Sequence, residues 1–186
     1  MDSAGRVSSV SNPANQIRFA EVASYAEHGA IQTLKLGGLL TGVEAANEVW
    51  TYNNRLQPIE TRLRTGGSAL NLSRLEYFYC PAQLLSCTTN NGNLRSQRIS
   101  NEAVGSEPSW TTLQQYGYDP LNRLTTFTDG AATETNNYDP WGNRWATVSG
   151  LTPSPLTPGD ASWFNPGNNR ISNLGYDQQN SVPGTF

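Results

Sequence analysis

Lysine and histidine are almost missing from this 186-residue chain: Lys35 and His28 each stand alone, and charged residues amount to only 15%. An average soluble protein carries roughly 25%. With a formal net charge of −3, a pI near 5.1 and no basic cluster, nothing here attracts nucleic acid or an anionic membrane electrostatically. No apolar run approaches the roughly 20 residues of a membrane-spanning helix, and Met1 to Arg6 lacks the charged-then-apolar pattern of an export signal. Cysteine is nearly absent too. Cys80 and Cys87 could bridge across a hairpin if their Cβ atoms face each other, a geometry that sequence leaves open. One histidine and two distant cysteines do not provide the short, fixed ligand spacings of a zinc site. Gly37-Gly38 and Gly66-Gly67 lack the context of a phosphate-binding loop. No metal and no cofactor is expected.

What is present is turn and strand chemistry, rich in Asn, Ser, Thr and Gly. The positive charge is almost all arginine, whose planar donors suit fixed partners. The main signal is repetition. Tyr118-Asp119-Pro120-Leu121-Asn122-Arg123-Leu124 returns as Tyr138-Asp139-Pro140-Trp141-Gly142-Asn143-Arg144-Trp145. Shorter relatives are Tyr52-Asn53-Asn54-Arg55-Leu56, Asp2 to Val7, Asn168-Asn169-Arg170-Ile171 and, without the arginine, Asn90-Asn91-Gly92-Asn93-Leu94.

Each unit reads as a hairpin. An aromatic residue ends one strand, a short turn follows, and an apolar residue opens the next. In Asp-Pro, proline holds the preceding residue extended and presets its own φ for a turn corner. Asn122, Asn143 and Gly142 then supply residues that tolerate positive φ. After the turn, pairs three residues apart recur: Val7/Val10, Leu56/Ile59, Leu124/Phe127, Trp145/Val148 and Ile171/Leu174. That spacing puts the two on opposite faces of a regular strand unless a bulge realigns them.

Elsewhere, a turn is expected at Glu27-His28-Gly29, a strand from Ala30 to Leu36 ended by Gly37-Gly38, and strand from Leu70 to Tyr79. The stretch 151–166, with Pro153, Pro155, Pro158 and Pro166, should be a loop between hairpins. No helix is expected, and Thr41 to Glu48 comes nearest to one.

The Tyr-Asp-Pro and Gly-Asn-Arg units resemble the tyrosine–aspartate (YD) repeats of the rearrangement-hotspot (RHS) family, bacterial type, related to toxin-complex shells and teneurins. The resemblance runs from about Asp2 through residue 186. Its signature positions are Tyr52, Asn54, Arg55, Gly92, Asn93, Tyr118, Asp119, Pro120, Arg123, Tyr138, Asp139, Pro140, Gly142, Arg144, Arg170, Tyr176 and Asp177. After Asp177 the pattern departs, since Gln178-Gln179-Asn180-Ser181 replaces the usual small residue, Gly and Asn. The resemblance implies an all-β fold of tandem antiparallel hairpins forming a curved, spiralling sheet. In complete bacterial relatives that sheet encloses a variable C-terminal toxin. It also implies secretion or surface association. Six or so units would form only an arc of such a shell, so a piece of a longer protein is expected.

The expected function is therefore structural and non-catalytic, with neighbouring repeats and an enclosed C-terminal toxin as partners. Asp119-Pro120 and Asp139-Pro140 invite comparison with the family's aspartate-based self-cleavage motif. Both, however, sit in ordinary repeat units without its Gly-then-apolar ending. His28 could pair with a cysteine as a nucleophile, yet it reads as a turn residue. Asn71-Leu72-Ser73 fits a glycosylation acceptor. The alternative from another class is a carbohydrate- or receptor-binding module, in which Trp50, Trp110, Trp141, Trp145, Trp163 and the tyrosines stack on sugar rings.

Overall fold

The computed structural model describes residues 1–67, 70–103, 107–152 and 157–172. It is all-β, and among the described residues there is no α-helix, only single 3-10 turns at Pro13–Asn15, Pro81–Gln83 and Ala161–Trp163. The strands are β1 (Ser9–Asn12), β2 (Ile17–Tyr25), β3 (Ile31–Leu36), β4 (Ala46–Tyr52), β5 (Pro58–Thr65), β6 (Asn71–Phe78), β7 (Ser96–Asn101), β8 (Trp110–Tyr118), β9 (Leu124–Asp129), β10 (Ala132–Tyr138) and β11 (Arg144–Ser149). Each strand neighbours the ones beside it in sequence, from β1 at one edge to β11 at the other. A chain-order antiparallel sheet needs only short hairpin connections, which the turn-rich sequence supplies. Thr41 to Glu48 divides between a loop and the start of β4.

Two compact units are present, Met1–Gln114 and Gln115–Phe186. In the first, register sorts the side chains onto two faces. Glu21, Lys35, Asn47 and Arg64 form one cross-strand row, and Thr51, Glu60, Glu76 and Arg98 another. On the opposite face run Val22, Leu34, Glu48 and Leu63, and beside them Trp50, Thr61, Leu75 and Ile99. The charged face is laced across β5, β6 and β7. Arg62 reaches Glu60 at 2.6 Å, Arg74 reaches Glu60 at 2.5 Å and Glu76 at 3.0 Å, and Arg98 reaches Glu76 at 3.1 Å. Arg18, itself buried, holds Glu21 at 2.8 Å and donates to the Leu40 carbonyl at 3.2 Å.

At the edge away from the repeat turns, the loops of this unit interlock. The Gly66 amide donates to the Ala45 carbonyl at 2.9 Å. A Cβ at Gly66 would lie 1.4 Å from the Glu44 carbonyl oxygen, so only glycine allows this approach.

In the second unit the β10–β11 register runs without interruption from Thr133↔Ser149 to Tyr138↔Arg144. Trp145 and Val148 therefore lie on opposite faces with no bulge between them, and both faces of the sheet carry apolar side chains. After β11 the chain forms no named strand among the described residues. The Pro158 carbonyl accepts the Ala146 amide at 2.8 Å, so part of the expected loop lies against β11. Pro153 and Pro155 lie outside the described residues. Among the described residues only Phe78, Cys80 and Ala146 are buried apolar residues, which marks a sheet whose faces are only half covered.

Candidate functional site

In each unit the repeat residues converge on the turns along one edge of its strands. Four turns share one geometry: Asp2–Arg6, Asn53–Gln57, Asp119–Arg123 and Asp139–Asn143. In each, the first residue's amide donates to the fifth residue's carbonyl, and the fourth residue's amide donates to the first residue's carbonyl. The fourth residue takes positive φ: 78° at Gly5, 63° at Leu56, 61° at Asn122 and 88° at Gly142.

The first side chain completes the turn. Oδ1 of Asp119 accepts the Leu121 and Arg123 amides, both at 2.9 Å, while Oδ2 takes Nε of Arg123 at 2.6 Å. Asp139 accepts the Trp141 and Asn143 amides at 2.9 Å and the Asn143 side chain at 2.7 Å. Asp2 does the same with Ala4 and Arg6, while Asn53 accepts the Arg55 and Gln57 amides and donates its own side-chain amide to Gln57 Oε1. The turn uses the amides of its first, third, fourth and fifth residues. Proline at the second position, as in Pro120 and Pro140, takes no needed donor away. The Arg123 amide, ahead of its guanidinium, holds the Asp119 carboxyl below its ordinary range. The Arg6 amide does so for Asp2. At Asp139, burial pushes upward but is outweighed by the Asn143 side chain and the turn amides.

A tyrosine before a turn joins that turn to the preceding one in four places. Tyr52 precedes Asn53, and its hydroxyl donates to the Ile31 carbonyl at 2.7 Å. Tyr138 donates to Leu124 at 2.8 Å, Tyr25 to Val7 at 3.1 Å, and Tyr79 to Pro58 at 3.1 Å. Every acceptor is the residue immediately after the preceding turn on this edge; for Tyr52 that turn is Ala26–Ala30, which has the same backbone bonds and a Gly29 φ of 89°. Burial pushes the phenols of Tyr52 and Tyr79 up, which keeps them protonated donors. Arginine reinforces two of these links. The Arg6 guanidinium lies 3.6 Å from the centre of the Tyr25 ring and that of Arg123 lies 4.4 Å from Tyr138. At Tyr52 the contact is His28, edge-on at 4.7 Å.

Several sequence-derived positions shift in register. Leu56 does not open a strand; it occupies the positive-φ corner and is exposed. Arg55 and Asn54 are the third and second turn residues, and the Arg55 guanidinium donates to the Asn90 carbonyl. Arg144 lies past its turn, at the start of β11, with Nη1 on Asn136 at 2.8 Å and Glu134 at 3.3 Å. Asn143 fills the place that Arg123 holds in the other copy. The amides of Gly92, Asn93 and Arg170 each bond to the side chain of an asparagine two residues earlier. Tyr176, Asp177, Leu174 and the segment Gln178 to Ser181 lie outside the described residues.

Tyr79 and Gln57 belong to this edge although they lie outside the repeat signature, and so does Tyr25, which the sequence marks only as leading into the turn at Glu27-His28-Gly29. An aromatic residue directly before a turn-forming stretch is the signal that would have found the tyrosines. Cys80 and Cys87 form a disulfide with a Cα–Cα distance of 5.8 Å, so neither is available to His28 as a thiol. Asn71 accepts from Arg64 at 3.2 Å and donates to Glu102 at 2.9 Å. The Asp119 and Asp139 carboxylates are committed to separate turns. Trp50, Trp145 and Trp163 are half-buried, whereas Trp110 and Trp141 are exposed.

No protein family's sequence profile matches the chain, and no curated protein matches it. Among solved structures, it is similar to a chain of the Photorhabdus luminescens Tc holotoxin pore, in a structure carrying a TccC3 mutation. The match has a TM-score of 0.50 at 18% identity and covers 89% of this chain. This chain spans 10% of the length of that one. Over that stretch the two share a fold.

Proposed function

We propose that this chain is a non-catalytic wall segment built of RHS-type tyrosine–aspartate repeats, part of a sheet that encloses or displays a C-terminal toxin or effector of the same polypeptide. One observation carries the reading. The Tyr25, Tyr52, Tyr79 and Tyr138 hydroxyls each reach back to the backbone just after the preceding turn, so one hairpin is completed by the next. A lone two-stranded hairpin is marginal in water, and repeats coupled nearest-neighbour in this way build extended walls. The side chains that would have to do chemistry are instead spent on turn geometry: Asp119 and Asp139 cap, and both cysteines are bonded. The fold shared with a toxin-complex component supports the same reading. Its partners would be adjacent repeats and the enclosed segment.

Limited proteolysis with mass mapping tests this, comparing the chain alone with the longest natural reading frame containing it. A wall segment is degraded throughout when alone and resists in the longer protein. Equal resistance in both would mark a self-sufficient module and refute the reading.

A carbohydrate-binding role is favoured by one observation. Trp141 is 76% exposed on a turn fixed by the Asp139 carboxylate, so its ring is presented without a packing role. Tryptophan fluorescence during titration with a broad sugar panel tests it; a saturable shift lost in Trp141→Ala would establish binding, and a flat response would remove it.

A further inference from the structure

The connection between β6 and β7 breaks the turn rule in an informative way. Tyr79 donates to the Pro58 carbonyl like the other turn tyrosines, so the next residue occupies the place held elsewhere by Asp or Asn. That residue is Cys80, which is 2% exposed and bonded to Cys87. A covalent bond replaces the capping carboxylate. In place of a five-residue turn, the chain makes a long excursion before the Arg95 amide returns to the Phe78 carbonyl at 2.7 Å.

Apart from the disulfide, polar contacts hold this excursion. Asn90 donates to Gln57 Oε1 at 2.8 Å, Arg55 donates to the Asn90 carbonyl, and Arg98 donates to Gln83. These tie it to the neighbouring Asn53–Gln57 turn and to β7. Leu84 and Leu85, inside the disulfide ring, are 55% and 68% exposed and contribute little burial. Long loops held by part-exposed polar contacts open readily.

We infer that Cys80–Cys87 is a redox-responsive clasp. Oxidised, it docks the 81–94 excursion on the turn edge. Reduced by a small thiol, it frees the excursion while the strands stay paired. Cys87 is half-buried and Cys80 buried, so the incoming thiolate attacks Sγ of Cys87 and expels the Cys80 thiolate, leaving a mixed disulfide on Cys87. A second thiolate attacks the small-molecule sulfur, releasing the Cys87 thiolate and the oxidised thiol dimer. Both cysteines then take up a proton, and in sum one disulfide and two thiols become two cysteines and one small disulfide. The clasp is thus closed where thiol pools are oxidised and open where glutathione is kept reduced.

The test uses the full oxidised chain, without denaturant, before and after reduced glutathione. Thiols are counted by titration, and amide hydrogen exchange is followed by mass spectrometry. The clasp predicts no free thiol before and two after. It also predicts exchange about tenfold faster across 81–94, with β4 and β5 changed less than twofold. Free thiols in the oxidised chain, a disulfide that yields only in denaturant, or unchanged exchange in 81–94 would each overturn it. So would a rise spread evenly over all strands, which would make the bond a global staple.

Discussion

Replacing Tyr52 by Phe deletes one atom from the turn edge and asks whether the hairpins are coupled as the hydrogen bonds imply. The hydroxyl lies 2.7 Å from the Ile31 carbonyl, while the ring keeps its edge-on contact with His28. Packing is therefore retained, and the loss is one hydrogen bond plus partial desolvation of a carbonyl. Such a loss is worth about 1 kcal/mol, or about a fivefold change in an opening equilibrium. The informative feature is where it appears. Because the acceptor follows the Ala26–Ala30 turn, exchange should quicken about fivefold at the amides of Gly29 and Ala26, which close that turn. The Asn53–Gln57 turn keeps its Asn53 cap, with amide bonds at 2.9 and 3.1 Å, and should be little changed. Exchange faster only in residues 53–57, with Ala26–Ala30 unaffected, would refute nearest-neighbour coupling through tyrosine.

Gly66→Ala should destabilise the first unit by about 3 kcal/mol or more, because the new Cβ meets backbone at 1.4 Å and no flexible side chain can yield; urea unfolding measures it. Leu56→Asn should stabilise by about 0.5–1 kcal/mol, since the residue is exposed at a φ of 63°, where the Cβ of an L-residue is strained and Asn is better tolerated than Leu; a lower melting temperature would count against the turn assignment. At Glu60, burial raises the pKa but the bonds from Arg62 and Arg74 outweigh it, and the folded-state value lies below the ordinary one of 4.5. Its stabilisation is then fully present above the unfolded pKa and is lost as pH falls through the folded-state value. Unfolding free energies between pH 6 and pH 3 should show a shallower acid loss in Glu60→Gln. Glu48, on the apolar face, has its pKa raised by burial, so Glu48→Gln should stabilise at neutral pH and lose that advantage as the medium turns acid.

The architecture was legible in the sequence because each turn is specified by residues adjacent to one another. Asp119-Pro120 and Asp139-Pro140 declare a capped corner, and Asn122 and Gly142 declare the positive φ that closes it. Register was less legible. Arg55 and Arg144 look equivalent to Arg123 by neighbour identity, yet one falls inside its turn and the other beyond it. The fifth turn position can be Gln57, Arg123 or Asn143 as long as its side chain meets that of the first residue. The tyrosine links were illegible for a different reason. Donor and acceptor lie 14, 18 or 21 residues apart, so no fixed period reveals them. Cys80 gave no hint of its turn position because it does covalently what its counterparts do by accepting hydrogen bonds.

All four tyrosine bonds point the same way, from a later residue to a carbonyl already passed along the chain. During synthesis each of these four tyrosines therefore emerges to find its acceptor already made. Growth from the N-terminus proceeds as a zipper closed one tooth at a time, with the last tooth formed always the one that seals its predecessor.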